Sequence, residues 1–216
     1  MTLSLVFVIG ATNAGKSTLI NAARELGCCV VEVGKMMRAK YPPEYFKGSA
    51  APEHTDKESW GMLLDGLEQA KLQGPGKCLK CHGAGTLTLG EVGVEVSCSV
   101  WCKGTGKARH VVFIDGQPRT MLQFERAVAL EEHYPIAFCH LWAPKAVREE
   151  RTRVRDANDP GRLALSLERL EGDLPALYNI TVGLQQLREI PHTVWDTSQP
   201  TFNPITVIKG LVRSRA

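Results

Sequence analysis

Residues 3–9, LSLVFVI, run almost without a polar break through large and β-branched side chains. A strand buried on both faces of a parallel sheet needs such a run, whereas a half-exposed strand would alternate. Between residues 17 and 26, Leu19, Ile20, Ala23 and Leu26 fall at helical spacing, and Gly27 stands where helices commonly end. Four more short apolar runs, at 28–33, 110–114, 136–142 and 193–195, predict further strands. Helical spacing returns in Met62, Leu63, Leu67 and Ala70, in Met121, Phe124, Val128 and Leu130, and in residues 163–170 and 181–187. Strands alternating with helices of this length predict an α/β fold, a parallel five-stranded sheet flanked by helices on both faces.

Two stretches interrupt the pattern. Residues 41–54 hold Pro42, Pro43, Gly48 and Pro52 and predict a loop. Residues 73–108 open with Gly74-Pro75-Gly76, carry six more glycines and predict a small inserted module. The core is thus expected in residues 1–72 and 109–216. No long-period repeat runs through the chain, apart from two similar cysteine knuckles inside the insertion.

Composition narrows this picture. The chain has 216 residues, 44% hydrophobic and 23% charged, enough for one domain with a real core and no disulfide staples. A net charge of +3 points to no nucleic-acid or membrane surface by itself. The longest apolar run falls far short of the roughly 20 residues a membrane span needs, and no basic residues precede it as in a secretory leader. A cytoplasmic protein is expected. Seven cysteines then favour metal ligation or free thiols over a disulfide framework.

The candidate chemistry starts directly after the first strand. Gly10-Ala11-Thr12-Asn13-Ala14-Gly15-Lys16-Ser17 fits GxxxxGK[ST], between a predicted strand and a predicted helix. Glycines let the backbone curl until successive N–H groups and the positive helix end converge on a phosphate. Lys16 reaches the terminal phosphates and the Ser17 hydroxyl can ligand Mg2+. Gly10, Asn13, Ala14, Gly15, Lys16, Ser17 and Thr18 are therefore the expected ATP site, and the fold class sharpens to a P-loop NTPase. Asp115, ending the third core strand, is placed to hold Mg2+ or its water shell. Arg119 offers a two-pronged clamp for a phosphate.

Val33-Gly34-Lys35-Met36-Met37-Arg38 and Asp115-Gly116-Gln117-Pro118-Arg119-Thr120, with Gln123 three residues beyond Thr120, resemble the acceptor segments of the adenylate kinase and nucleoside monophosphate kinase family. The resemblance covers most of residues 3–72 and 109–214. It implies that Arg38 and Arg119 grip the acceptor's phosphate, that Gln123 reads its base and that Gly116 lies close to it. The run of Arg148, Arg151, Arg153, Arg155 and Arg162 is similar to that family's arginine-rich lid, here about residues 148–162. Its arginines would stabilise the transferring phosphoryl group together with Lys16, Asp115 and Arg119. Arg151 and Arg155 are assigned to that contact, with Arg153 and Arg162 as the alternatives. Residues 196–200 resemble the family's last strand end and base-contacting loop. The sequence departs from the family at Val33, Lys35 and Gln117, which stand where a hydroxyl residue, an aspartate and an aromatic are usual.

In the insertion, Cys78, Cys81, Cys98 and Cys102 at CxxC and CxxxC spacing suit one tetrahedral Zn2+, and the first knuckle resembles those of J-domain co-chaperones. Cys28, Cys29 and Cys139 fall in predicted strands and read as buried apolar residues. From residue 71 to 109, Lys71, Lys77, Lys80, Lys103, Lys107 and Arg109 face only Glu91 and Glu95, a local excess of four positive charges. The expected function is transfer of the γ-phosphate of ATP to a (deoxy)nucleoside monophosphate, a small-molecule partner. The alternative is a P-loop kinase acting on a polynucleotide, a 5′ end or a modified base, with the zinc module gripping the strand.

Overall fold

The computed structural model describes residues 3–41, 53–74, 86–89, 94–97, 110–172 and 174–214. Five parallel strands form its sheet: β1 (Ser4–Ile9), β2 (Cys29–Glu32), β5 (Val111–Asp115), β6 (Ile136–Trp142) and β7 (His192–Asp196), in the order β2-β5-β1-β6-β7. All six residues of β1 are buried, as its apolar run requires. Alternation along the strand sends Leu5, Phe7 and Ile9 into one hydrophobic layer and Val6 and Val8 into the other.

One layer is closed by α1 (Lys16–Glu25) and α8 (Pro204–Ser214), through Leu19, Ile20, Ala23, Val207, Ile208 and Leu211. The opposite layer receives Met37 from α2 (Val33–Lys40), Leu63, Leu67 and Ala70 from α3 (Glu53–Gln73), Phe124 and Ala127 from α4 (Met121–Ala129), and Ile180 and Leu184 from α7 (Leu174–Gln186). Phe138 anchors this layer, stacked on Phe7 with ring centroids 5.2 Å apart and tilted against Phe124 at 5.6 Å. Two further helices, α5 (Lys145–Arg155) and α6 (Pro160–Gly172), carry the arginine-rich segment. Within the 73–108 stretch, β3 (Thr86–Leu89) and β4 (Val94–Ser97) form an antiparallel hairpin, with Thr86 opposite Ser97 and Leu89 opposite Val94. Among the described residues no helix is long and apolar enough to cross a membrane.

Several boundaries differ from expectation. Val33 opens α2 and does not end a strand, because β2 stops where its partner stops, with Glu32 opposite Asp115. His54, expected in a loop, lies in the first turn of α3. His110 stands just outside β5, its imidazole within hydrogen-bonding distance, 2.9 Å, of the Ala70 carbonyl oxygen. Cys139 is fully buried, whereas Cys28 and Cys29 are half-buried and Cys28 precedes the strand. Burial pushes the Cys28 and Cys139 thiols up to about 12, so neither is a ready thiolate.

Candidate active site

Beyond β1 the chain curls through Gly10 (φ +150°), Asn13 (φ 60°) and Gly15 (φ 93°) before α1 begins at Lys16. A Cβ on Gly10 would stand 2.4 Å from the Leu141 carbonyl oxygen, so only glycine lets the loop leave the sheet this close to β6. No side chain caps α1 and no acid occupies its first turn. Its leading N–H groups and the positive end of its dipole are thus presented to an anion. Lys16 Nζ folds back over the loop and donates to the carbonyl oxygens of Gly10 at 2.5 Å and Ala11 at 2.9 Å. Ser17 and Thr18 are exposed in the first turn, and Ala14 is buried beneath the loop.

Helix α5 brings two arginines to this loop from one helical face, at i and i+4 spacing. Arg151 donates to the Asn13 carbonyl oxygen (3.2 Å), to Thr197 Oγ1 (2.9 Å) and to the Thr197 carbonyl oxygen (2.7 Å), while Thr197 Oγ1 donates to the Ala14 carbonyl oxygen at 3.0 Å. Arg155 Nη1 donates to Asn13 Oδ1 at 2.7 Å, and Asn13 Nδ2 donates to Thr152 Oγ1. Asp156 holds this arrangement from behind. Its carboxylate accepts from Arg155 Nε (2.9 Å) and Nη2 (2.6 Å) and pairs with Arg162 Nε at 3.0 Å, with the carboxyl side chain 0% exposed. The Arg155 hydrogen bonds hold its carboxyl at about 2, below the usual range, with Ser166 and Arg162 acting in the same direction.

The other arginines of the segment go elsewhere. Arg148 is buried, donating to the carbonyl oxygens of Ala143 (3.2 Å) and Leu170 (3.1 Å), which bolts α5 to α6. Arg153 is exposed and pairs with Glu149 and Glu150.

Across the sheet, the end of β5 meets the start of α2. Gly116 (φ +94°) approaches so closely that a Cβ there would lie 2.8 Å from the Gly34 backbone nitrogen. The guanidinium groups of Arg38 and Arg119 converge over Gly34, with Nη atoms 3.4 and 3.6 Å from where its Cβ would stand. Arg119 Nε donates to the Gly116 carbonyl oxygen at 3.1 Å. Among the described residues neither arginine pairs with a carboxylate. Two converging guanidinium groups with no acid between them form an anion cradle.

Gln123 is 4% exposed and its amide is engaged within the protein: Oε1 accepts from the Arg119 backbone N–H at 2.7 Å, and Nε2 donates to Asp56 Oδ1. Thr120 caps α4 by accepting from the Gln123 N–H. Lys35 is exposed and pairs with Glu32 at 3.2 Å, and Val33 lies in the core.

Asp115 ends β5 opposite Val8, and its Oδ1 is buried without a protein partner. With the exposed Ser17 hydroxyl it supplies the hard oxygen donors that suit Mg2+. His140, opposite Ile9 on β6, is buried with both ring nitrogens unpartnered. Burial, with Lys16 and His192 adding to it, lowers its pKa and keeps the ring neutral. Cys78, Cys81, Cys98 and Cys102 lie outside the described residues, and among those described no three His, Cys, Asp or Glu side chains cluster as a metal site.

Sequence reasoning did not anticipate Thr197 and Asp156 as the groups that fix Arg151 and Arg155, Thr152 as the partner of Asn13, or Asp56 as the partner of Gln123. Asp156 left a signal as an acid directly after the arginine run, and Thr197 as part of the 196–200 stretch that resembles the family's loop.

No protein-family model matches this chain, and no curated protein resembles it in sequence. Solved structures do. A Chloroflexus aurantiacus protein aligns over all of both chains at 17% identity and a TM-score of 0.52. Shikimate kinase from Bacteroides thetaiotaomicron aligns over 97% of this chain and 98% of its own, at 14% identity and a TM-score of 0.51. A sugar kinase from Janibacter aligns over 97% and 92%, at 18% identity and a TM-score of 0.50. With its parallel five-stranded sheet, its helices on both faces and its glycine-bounded loop after β1, the chain has the fold of the P-loop kinases.

Proposed function

We propose that this protein is a phosphotransferase that moves the γ-phosphoryl group of ATP to a (deoxy)nucleoside monophosphate. The observation that carries the reading is the pair of guanidinium groups, Arg38 and Arg119, meeting over Gly34 beyond the ends of β2 and β5, with the phosphate loop following the neighbouring strand β1. One anion site is explained by the loop, and a second one calls for an acceptor that itself bears a phosphate.

The loop N–H groups and Lys16 hold the donor's phosphates, Lys16 exchanging the carbonyls of Gly10 and Ala11 for phosphate oxygens. Mg2+ at Ser17 and Asp115 would neutralise charge on the β- and γ-phosphates. Arg38 and Arg119 orient the acceptor so that its phosphate oxygen attacks the γ-phosphorus in line. The new P–O bond forms as the bond to the β–γ bridging oxygen breaks, and ADP leaves. No side-chain nucleophile is required. Arg151 and Arg155, at the loop through Asn13, supply charge to the equatorial oxygens of the transferring group. Replacing Arg119 by Ala should raise the KM for the acceptor at least about tenfold with the KM for ATP within about twofold, as loss of one charged clamp predicts. An unchanged acceptor KM would remove the cradle from the acceptor site.

The four insertion cysteines, two before β3 and two after β4 in the sequence, are proposed to bind one Zn2+. The local excess of four positive charges favours a second reading, a polynucleotide acceptor gripped by that module. Chelation that abolishes nucleic-acid binding and spares phosphorylation of free nucleotides would assign the module to the strand. Nucleic-acid binding that chelation leaves unchanged would remove this reading.

A further inference from the structure

Buried polar atoms without a hydrogen-bond partner are few among the described residues, and they are not scattered. Asp115 Oδ1 ends β5, the two amide atoms of Gln117 follow two residues beyond it, and the two ring nitrogens of His140 lie two residues short of the end of β6, the strands on either side of β1; Thr193 Oγ1 is the remaining one. Proteins seldom leave such groups unpaired, and where they do, a ligand, an ion or an ordered water commonly meets them. Asp115 has its explanation in Mg2+. Gln117 has none in the mechanism above.

Gln117 is 2% exposed, and both its donor and its acceptor are unspent. Its chain neighbours place it at the acceptor cradle: Gly116 touches Gly34 on one side, and on the other Arg119 reaches the same glycine two residues later. Gln123, which the family resemblance makes the reader of the base, is already committed. The Arg119 N–H occupies its oxygen and Asp56 its nitrogen, with Ser59 Oγ a further 3.5 Å contact. Gln123 fixes the loop that carries Arg119. Gln117 is the glutamine with hydrogen bonds to give.

We infer that Gln117 reads the acceptor, engaging with its amide a group that presents a hydrogen-bond donor and acceptor side by side, the pattern of a nucleobase edge. A carboxamide matches such an edge with two parallel bonds, as glutamine does on adenine. This rests on the nucleoside monophosphate reading above and adds the residue that discriminates between bases. Because the amide is closed off from solvent, the acceptor meets it only when the wall over it parts, which couples base recognition to a movement of the acceptor side.

The test compares Gln117→Leu, Gln117→Met and Gln123→Leu with the unaltered protein, by ligand-free melting temperature and by kinetics on AMP, CMP, GMP and UMP. Gln117→Leu and Gln117→Met should melt no lower than the unaltered protein, since they remove an amide that bonds to nothing. They should raise the KM for the preferred monophosphate about tenfold and flatten the preference among the four, as loss of a bidentate base contact predicts. The KM for ATP should stay within about twofold. Gln123→Leu should lower the melting temperature, losing Asp56 and the Arg119 N–H. Unchanged base preference in both Gln117 variants would overturn the inference, and a lowered melting temperature with normal kinetics would assign the amide to an internal water. If the unaltered protein turns over a monophosphate and the Gln117 variants keep its preference, this inference alone fails. If it turns over neither these four nor any deoxynucleoside monophosphate, the functional reading fails and this inference with it.

Discussion

Asp156 joins the fold to the chemistry, and replacing it by Asn removes its charge with almost no change of shape. Three charged contacts are at stake, two hydrogen bonds from Arg155 and an ion pair with Arg162, on a carboxylate that is itself 0% exposed. A hydrogen bond to a charged group is worth about 1.5–3 kcal/mol, but these three share one acceptor and do not add. The arginine side chains are 43% and 61% exposed, so water recovers part of what they lose. The net cost of Asp156→Asn is therefore about 2–3 kcal/mol, or a melting temperature lower by about 4–12 °C for a domain of this size. The folded-state pKa lies at about 2, below the ordinary 3.8, so the carboxylate's contribution is fully present above about pH 4. It fades as the pH falls through the folded value toward 2, where the protonated carboxyl no longer differs in charge from the amide. Urea unfolding of both proteins at pH 7, 5 and 3 reads this directly. The gap should be constant between pH 7 and 5 and smaller at pH 3. A gap under about 0.5 kcal/mol at pH 7, or one that widens on acidification, would refute the reasoning.

Three further outcomes follow from the same geometry. Gly116→Ala combines a left-handed φ with a Cβ 2.8 Å from the Gly34 nitrogen, so it should destabilise by about 2–4 kcal/mol in chemical denaturation and raise the acceptor KM. Lys16→Ala should lower kcat at least about a hundredfold with a melting temperature within about 3 °C of the original, since its bonds to the Gly10 and Ala11 carbonyls tie it to its own loop. Metal analysis of the purified chain should find one Zn2+, released on changing Cys78 or Cys102 to Ser.

The sheet was legible because its central strands are buried on both faces. The 3–9 and 136–142 runs leave no polar periodicity to misread, and β1 and β6 occupy almost those spans. The phosphate loop was legible because its glycines and lysine are contiguous. What escaped depends on contacts distant in sequence. Val33 reads as a strand residue from its β-branched side chain, yet the end of its partner strand, some 80 positions on, sends it into a helix. Arg148 and Arg151 look alike in the sequence, and only the carbonyls of Ala143 and Leu170 separate a buried bolt from an arginine at the loop. Asp56, whose carboxylate commits Gln123, lies 67 positions away from it. No local pattern encodes such a pair.

The most direct test of the central claim is transfer of labelled γ-phosphate from ATP to the ribo- and deoxyribonucleoside monophosphates, run beside 5′-hydroxyl oligonucleotides, a hexose and shikimate. The account predicts labelled diphosphate from at least one monophosphate, lost in Lys16→Ala and weakened in Arg119→Ala. Label appearing only on the sugar, on shikimate or on the oligonucleotide, with every free monophosphate untouched, would contradict it.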